Sequence, residues 1–302
     1  MKSFSELEND LLVKDLFNFL EKQKNIYWIN NFPWTVYHDC LQPALHLPYE
    51  TPDFDREKLV FYIQKNKYPF IRWSDSYTSK PTEWWWLICR KPFLEKKLDR
   101  NTRYKIRRGL SKCLVKIIDS RWLAENGYQC YQNAHKRYKN ARLEDANSFK
   151  KSMTMKVGYD CFQFWGIFFD NQLVGYAECL LGGKMVFWSE TRYDPDYLKH
   201  SISYALTFSI LNYYLNQKDF DLITDGTRSI AHQTFMQKYL LKFNFQKEFC
   251  RLNIIYKLGW EKIINFLYLF KSIFNILDKI IPLNIFHKIN VVLRQEKIKR
   301  SF

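Results

Sequence analysis

Leu7, Leu11, Leu12, Leu16, Phe19 and Leu20 recur at helical spacing with polar residues between them, which predicts a helix over 4–23 with Ser3 or Ser5 as its cap. The period lapses in WINNFPWTVYHDCLQPALHLP, which prolines punctuate, so an irregular or short-stranded stretch is expected there. DREKLVFYIQKNK returns to helical spacing, whereas YPFIRWS and EWWWLICR are short apolar runs of strand type. Residues 1–112 therefore predict a mixed α/β region ending in a basic helix, DRNTRYKIRRGLSK, capped by Asp99 or Asn101. Helical geometry sets Arg100, Arg103 and Arg107 along one side of it and Lys105, Arg108 and Lys112 along another. Such a run is either a solvated face or an anion site.

From Cys113 the pattern is more regular. CLVKIIDS alternates like a strand, and RWLAENGYQCYQNAHKRYK and EDANSFKKSMTM read as helices. CFQFWGIFFD, QLVGYAECLLGG and KMVFWSETRY follow as three aromatic-rich strands, and turns at Asp170-Asn171 and Gly182-Gly183 would join them into an antiparallel meander. A long helix over 199–217, the strand FDLITDG, a helix over 231–242 and the strand EFCRLNIIYK add a parallel crossover. Residues 260–281 are apolar nearly all round, with a polar stripe at Lys262, Asn265, Lys271 or Ser272, Asn275 and Lys279, until Pro282 breaks them. That stripe is too polar for a spanning helix. Wide apolar helix faces are mostly core, so the hairpin is expected to pack on the domain; the alternative is peripheral membrane contact through 260–302.

The chain has 302 residues, 47% of them hydrophobic, with 20 Tyr, 25 Phe and 10 Trp, which is ample for a core, so disorder is not the expectation. Its formal charge of +16 points to a polyanionic partner such as nucleic acid, a nucleotide or an anionic membrane surface, or else to an ordinary lysine-rich surface. Seven cysteines without a C-x-x-C pair read as reduced core residues of a cytoplasmic protein, against a structural disulfide or a metal site. MKSFSELENDLL carries acidic residues where a signal peptide needs a basic start, so no export signal is expected.

The order β-α-α-β-β-β-α-β-α-β over 113–257 resembles that of the GNAT acyltransferase superfamily. PDYLKHSISYAL is similar to its PEYRGKGIGRAL-type signature, YLLKFNF takes the place of a helix ending LYEKLGF, and NTRYKIRRG resembles the Arg-rich helix of the Fem-type branch. The resemblance implies an α+β (mixed α/β) fold in three parts: a degenerate GNAT-like half over 1–112, the transferase domain over 113–258 and an amphipathic extension over 259–302. It also implies an acyl-CoA or aminoacyl-tRNA donor, an amine acceptor on a cell-envelope or polysaccharide precursor, and no metal. Lys199, His200, Ser201 and Ser203 fall in the donor segment where the superfamily has glycines, and a Cβ at each narrows the approach of a pyrophosphate to the backbone. The superfamily's acid, a tyrosine, falls on Leu240, with Tyr239 one residue away. A non-catalytic protein of this fold that binds nucleic acid or an anionic surface is the alternative.

Acyl transfer to an amine needs a base and donors for the developing oxyanion. Glu190 ends the central strand in FWSET, as a base or as a partner of Arg192. Asp225 and Arg228, in TDGTRSIAHQT, stand at the carboxyl end of a strand where open α/β sheets bind ligands, unless Asp225-Gly226 is a turn. His232 follows as a base, an orienting donor or a structural residue. Glu178 shares a strand face with Tyr176 and must be paired if that face is packed. Arg103, Arg107 and Arg108 complete the substrate-binding candidates. The sequence carries no Ser-His-Asp spacing, metal-ligand cluster or Walker-type loop.

Overall fold

Aspartates start most of the early helices, because their carboxylates accept the backbone N–H groups that a first helical turn leaves unpaired. Asp10 takes Leu12 and Val13, Asp55 takes Lys58, Asp99 takes Thr102, Asp119 takes Arg121 and Asp145 takes Asn147. The computed structural model describes residues 9–29, 31–37, 40–45, 54–137, 143–230, 235–281 and 284–302. Its elements are α1 (Leu11–Lys22), β1 (Tyr27–Ile29), β2 (Phe32–Tyr37), β3 (Cys40–Pro43), α2 (Arg56–Lys65), β4 (Phe70–Thr78), β5 (Trp85–Arg90) and α3 (Arg100–Leu110). After these come β6 (Leu114–Ile118), α4 (Ser120–Asn126), α5 (Tyr128–His135), α6 (Ala146–Thr154), β7 (Phe162–Phe169), β8 (Gln172–Gly182) and β9 (Met185–Tyr193). The remainder is α7 (Ile202–Asn212), β10 (Leu222–Thr227), α8 (Phe235–Leu240), β11 (Gln246–Tyr256), α9 (Leu258–Leu269), α10 (Lys271–Ile280) and α11 (Asn284–Lys299).

Two compact units share these elements. The first takes the described part of Met1–Phe19 with Leu87–Gly226 and Met236–Gln246, so the basic helix α3 packs with the meander. Its strands run in the order β5-β10-β9-β8-β7-β6. β6 to β9 are antiparallel and β10 joins β9 in parallel, which is a mixed sheet. One sheet face buries Val174, Ala177, Cys179 and Leu181 of β8 with Ile106 of α3 and Ile202, Leu206 and Ile210 of α7. The other buries Phe164, Phe168 and Tyr176 with Leu123, Tyr131, Phe149 and Met153 of α4 to α6. Each fully buried Leu or Phe contributes about 1.5–3 kcal/mol. The second unit holds Leu20–Trp86, Thr227–Phe235 and Lys247–Phe302, with strand order β1-β2-β3-β4-β11. All seven cysteines are buried and unbonded.

Several boundaries differ from the sequence expectation, each for a local reason. The N-terminal helix starts at Leu11 under the Asp10 cap, and Ser3 and Ser5 lie outside the described residues. The proline-punctuated stretch forms the three short strands β1 to β3. Within the described part of 121–139, the helix expected there is two helices that divide at Gly127. Asp170 and Asn171 make the expected two-residue turn with φ of 48° and 63°. The next turn is Gly183-Lys184 rather than Gly182-Gly183, since Gly182 pairs with Met185 and the positive φ values fall on the two residues between. The α-helix expected from 199 begins at Ile202, after a 3-10 turn over Pro195–His200, and ends in a π-turn over Tyr213–Gln217. The segment expected as one helix over 260–281 is two, α9 and α10, meeting at Phe270.

Candidate active site

The parallel ladder between β9 and β10 has three pairs, Leu222 with Met185, Ile223 with Val186 and Thr224 with Phe187. Both strands continue, β9 to Tyr193 and β10 to Thr227, so the sheet opens between them beyond Phe187. A bulge in β9 accompanies the opening: Trp188 pairs with Cys179 and Glu190 with Glu178, which leaves Ser189 as the extra residue. Its hydroxyl donates to the Glu178 carbonyl at 3.2 Å. A bulge bends its strand and re-aims the side chains that follow, here Glu190 and Arg192.

The α7 face of the same sheet carries a helix N-terminus. Ser201 stands before α7 in the left-handed region with φ of 64°, donating its N–H to the Leu198 carbonyl and accepting from Tyr204 and Ala205. The N–H groups of a first helical turn have no intrahelical acceptor and carry the positive end of the helix dipole. Gly109 of α3 lies against this point, since a Cβ there would stand 2.6 Å from the Ser201 carbonyl oxygen. Only glycine lets the basic helix come so close. The His200 ring stacks on Phe169 with centroids 4.5 Å apart, and burial, then the charges of Lys112, Lys199 and Arg108, hold its pKa below the usual value. Three cations therefore act on an imidazole of lowered pKa beside a helix N-terminus, a setting that favours an anion such as phosphate.

Tyr239 reaches the same helix. Its hydroxyl hydrogen-bonds Thr207 Oγ1 at 3.1 Å and also Ser203, and burial holds it far above the ordinary phenol range, so it keeps its proton. Leu240, where the ungapped match puts the acid, is wholly buried in the core. The one-residue offset thus turns the phenol toward α7 and the leucine inward.

On the opposite face, beneath α5 and α6, the register sets Glu190 beside Glu178 and Arg192 beside Tyr176. Glu178 is 5% exposed and is paired with Lys156 Nζ at 2.5 Å. Glu190 is paired with Arg192 at 2.6 Å. Burial pushes the Glu190 carboxyl up, Arg192 opposes this, and Glu178 reinforces it. Tyr176 is fully buried and its hydroxyl has no hydrogen-bond partner among the described residues. Asn133 of α5 donates to Asp194 at 2.6 Å, and Asp194 accepts the N–H of Asp196, tying the end of β9 to the segment that leads into α7.

Asp225, at the carboxyl end of β10, is pushed up to about 7 by burial, opposed by a hydrogen bond from Gln237. Gly226 after it has φ of +83°. Arg228 belongs to the second unit, ion-paired with Glu83 at 2.7 Å and lying over the Trp85 ring at 4.8 Å. Of the α3 arginines, Arg108 faces His200, Arg107 is solvent-exposed and Arg103 is half-buried with an unpartnered Nε. His232 lies outside the described residues. Lys156 and Thr207, which sequence reasoning did not single out, carry no motif. Only the fold brings them to Glu178 and Tyr239.

No family model and no curated protein matches the chain. Solved structures do. The C-terminal domain ascribed to a lysylphosphatidylglycerol synthetase from Agrobacterium fabrum aligns with a TM-score of 0.58 at 10% identity, over 82% of this chain and 88% of that one. L-PGS from Bacillus licheniformis aligns with a TM-score of 0.51 at 10% identity, over 81% and 91%. FemX aligns with a TM-score of 0.52 at 8% identity, over 77% and 88%. The chain thus shares the mixed α/β fold of these three structures.

Proposed function

We propose that this protein is an acyltransferase that moves an aminoacyl group from a tRNA donor to an amine of a cell-envelope precursor or lipid, working at the cytoplasmic face of the membrane. The observation that carries the reading is the β9/β10 opening, with a cationic helix N-terminus on one side and a carboxyl of raised pKa on the other. Donor phosphates would rest on the first turn of α7 with Lys199, Arg108 and Lys112, and the reacting carbonyl in the opening. Ser201 and Ser203 narrow a backbone approach that acyl-CoA would use, whereas the basic side of α3 suits a longer polyanion. The acceptor nitrogen attacks the carbonyl carbon, Glu190 takes the amine proton, and the ester C–O bond breaks as the Tyr239 hydroxyl protonates the departing oxygen. Arg192 and Glu178 hold Glu190 in place. Asp225, Arg103 and Arg107 are further contacts for the two substrates.

Purified protein is to be assayed for transfer from charged tRNA to amine-bearing envelope precursors, with Glu190→Gln beside it. The substituted enzyme should lose on the order of 10²-fold or more in turnover and keep its donor affinity. Transfer from acyl-CoA alone would sink the donor assignment, and unchanged turnover in Glu190→Gln would sink the base. A non-catalytic anion binder is the second reading, favoured by the same cation cluster. It predicts steeply salt-dependent binding with no product under any donor.

A further inference from the structure

Of the two helices after β11, α10 wears its amphipathicity inside out, and α9 leaves a broad apolar face bare. Against α11, α10 presents its polar residues: Asp278 accepts from Asn290 at 2.6 Å and pairs with His287, and Asn275 also accepts from Asn290. Its isoleucines lie away from α11, with Ile273, Ile276 and Ile280 respectively 54%, 55% and 70% exposed. α9 buries Ile264 and leaves Ile263, Phe266 and Leu269 exposed, Leu269 by 75%, while its exposed Asn265 accepts from Arg300, just past α11. In water this arrangement loses twice, since polar groups are taken inside and apolar ones left out. Soluble monomers seldom leave an apolar patch of that extent bare.

We infer that the outer face of α9 and α10 is a docking surface for an anionic lipid bilayer, on which the two helices lie in the plane of the interface. Charge decides between this occupant and a second copy of the chain. Lys262 is exposed at helical spacing between Leu258 and Phe266, inside the apolar face, and Lys271 opens α10 with its Nζ over the Tyr268 ring at 4.2 Å. Two copies meeting through this face would press these lysines together, each on a chain of net charge +16. Anionic headgroups accept them instead, with the lysine stems lying along the apolar surface. Trp260, 49% exposed at the start of α9, has the amphipathic ring that settles at headgroup level. No described helix is long and apolar enough to cross a membrane, so contact through this face is peripheral.

This inference stands apart from the transferase reading, and Glu190→Gln should partition like the unsubstituted protein. The full chain is to be co-sedimented with vesicles of phosphatidylcholine alone and with phosphatidylglycerol added, at low and high salt. Binding should require the anionic lipid and fall at least tenfold in the exposed triple variant Phe266→Ser, Ile273→Ser, Ile276→Ser and in Lys262→Glu, Lys271→Glu. Brominated lipid should quench fluorescence that Trp260→Phe removes. Three results would overturn it: no binding to either vesicle, undiminished binding by the triple variant, which would make general surface charge sufficient, or a dimer in sedimentation velocity that the triple variant abolishes.

Discussion

Glu178 and Glu190 occupy adjacent positions on one sheet face, yet their surroundings separate them. Glu178 is sealed against Lys156, while Glu190 keeps a quarter of its side chain exposed beside the opening and has its carboxyl pushed up by burial. That division suits one residue to position and the other to exchange protons. Asp225 adds a second carboxyl of raised pKa, and its effect on folding has a definite sign. Folded Asp225 holds its proton up to about pH 7, whereas its ordinary value is 3.8, so the folded chain binds more protons between those limits. Its contribution to stability is therefore present at low pH and lost as pH rises through about 7. Replacing Asp225 with Asn should flatten the decline in denaturation midpoint across this window. A midpoint that still falls equally would assign the decline elsewhere.

Among the elements, the turn into α7 is where the donor segment departs most from its resemblance. Ser201 adopts φ of 64° with its side chain making no cap, so the backbone conformation a glycine would favour persists without the glycine. A non-glycine residue pays about 1–2 kcal/mol there. The added freedom of an unfolded glycine costs about 0.5–1 kcal/mol. Ser201→Gly should thus raise the unfolding midpoint slightly and widen the approach to the α7 N-terminus. A lower midpoint would mean that the hydroxyl matters more than the backbone. Such features separate the legible from the illegible. The Asp99 cap and the Asp170-Asn171 turn follow from residues adjacent in sequence. The Ser189 bulge, the shift of the second turn to Gly183-Lys184 and the splitting of the C-terminal helix at Phe270 depend on pairing and packing with distant segments.

For the whole molecule, the +16 charge acquires a location. Arg108, Lys112 and Lys199 gather at the start of α7, and lysines also line the outer face of α9 and α10. If a nucleic-acid donor is held at α7, its affinity should fall linearly in log–log form with salt, and Lys112→Ala and Lys199→Ala should each lower the slope by about 1. Unchanged slopes would place the phosphates elsewhere. Vesicle binding through α9 and α10 should be untouched by those substitutions, because different cations serve it.

The sequence by itself determined the order of the main strands and helices over 113–257, the Asp99 cap and the segment that begins α7, because these rest on periodicity and on neighbours within a few residues. Tertiary structure alone decided that Glu190 meets Glu178 and Arg192, that Tyr239 rather than Leu240 faces α7, and that Gly109 brings the basic helix to Ser201. It also turned the isoleucines of α10 outward, since packing against α11 claimed the polar side that a sequence reading assigns to solvent. The physical reason is common to all four. Strand register and helix rotation are set by contacts between residues far apart in the chain, and a shift of one residue moves a side chain to another face.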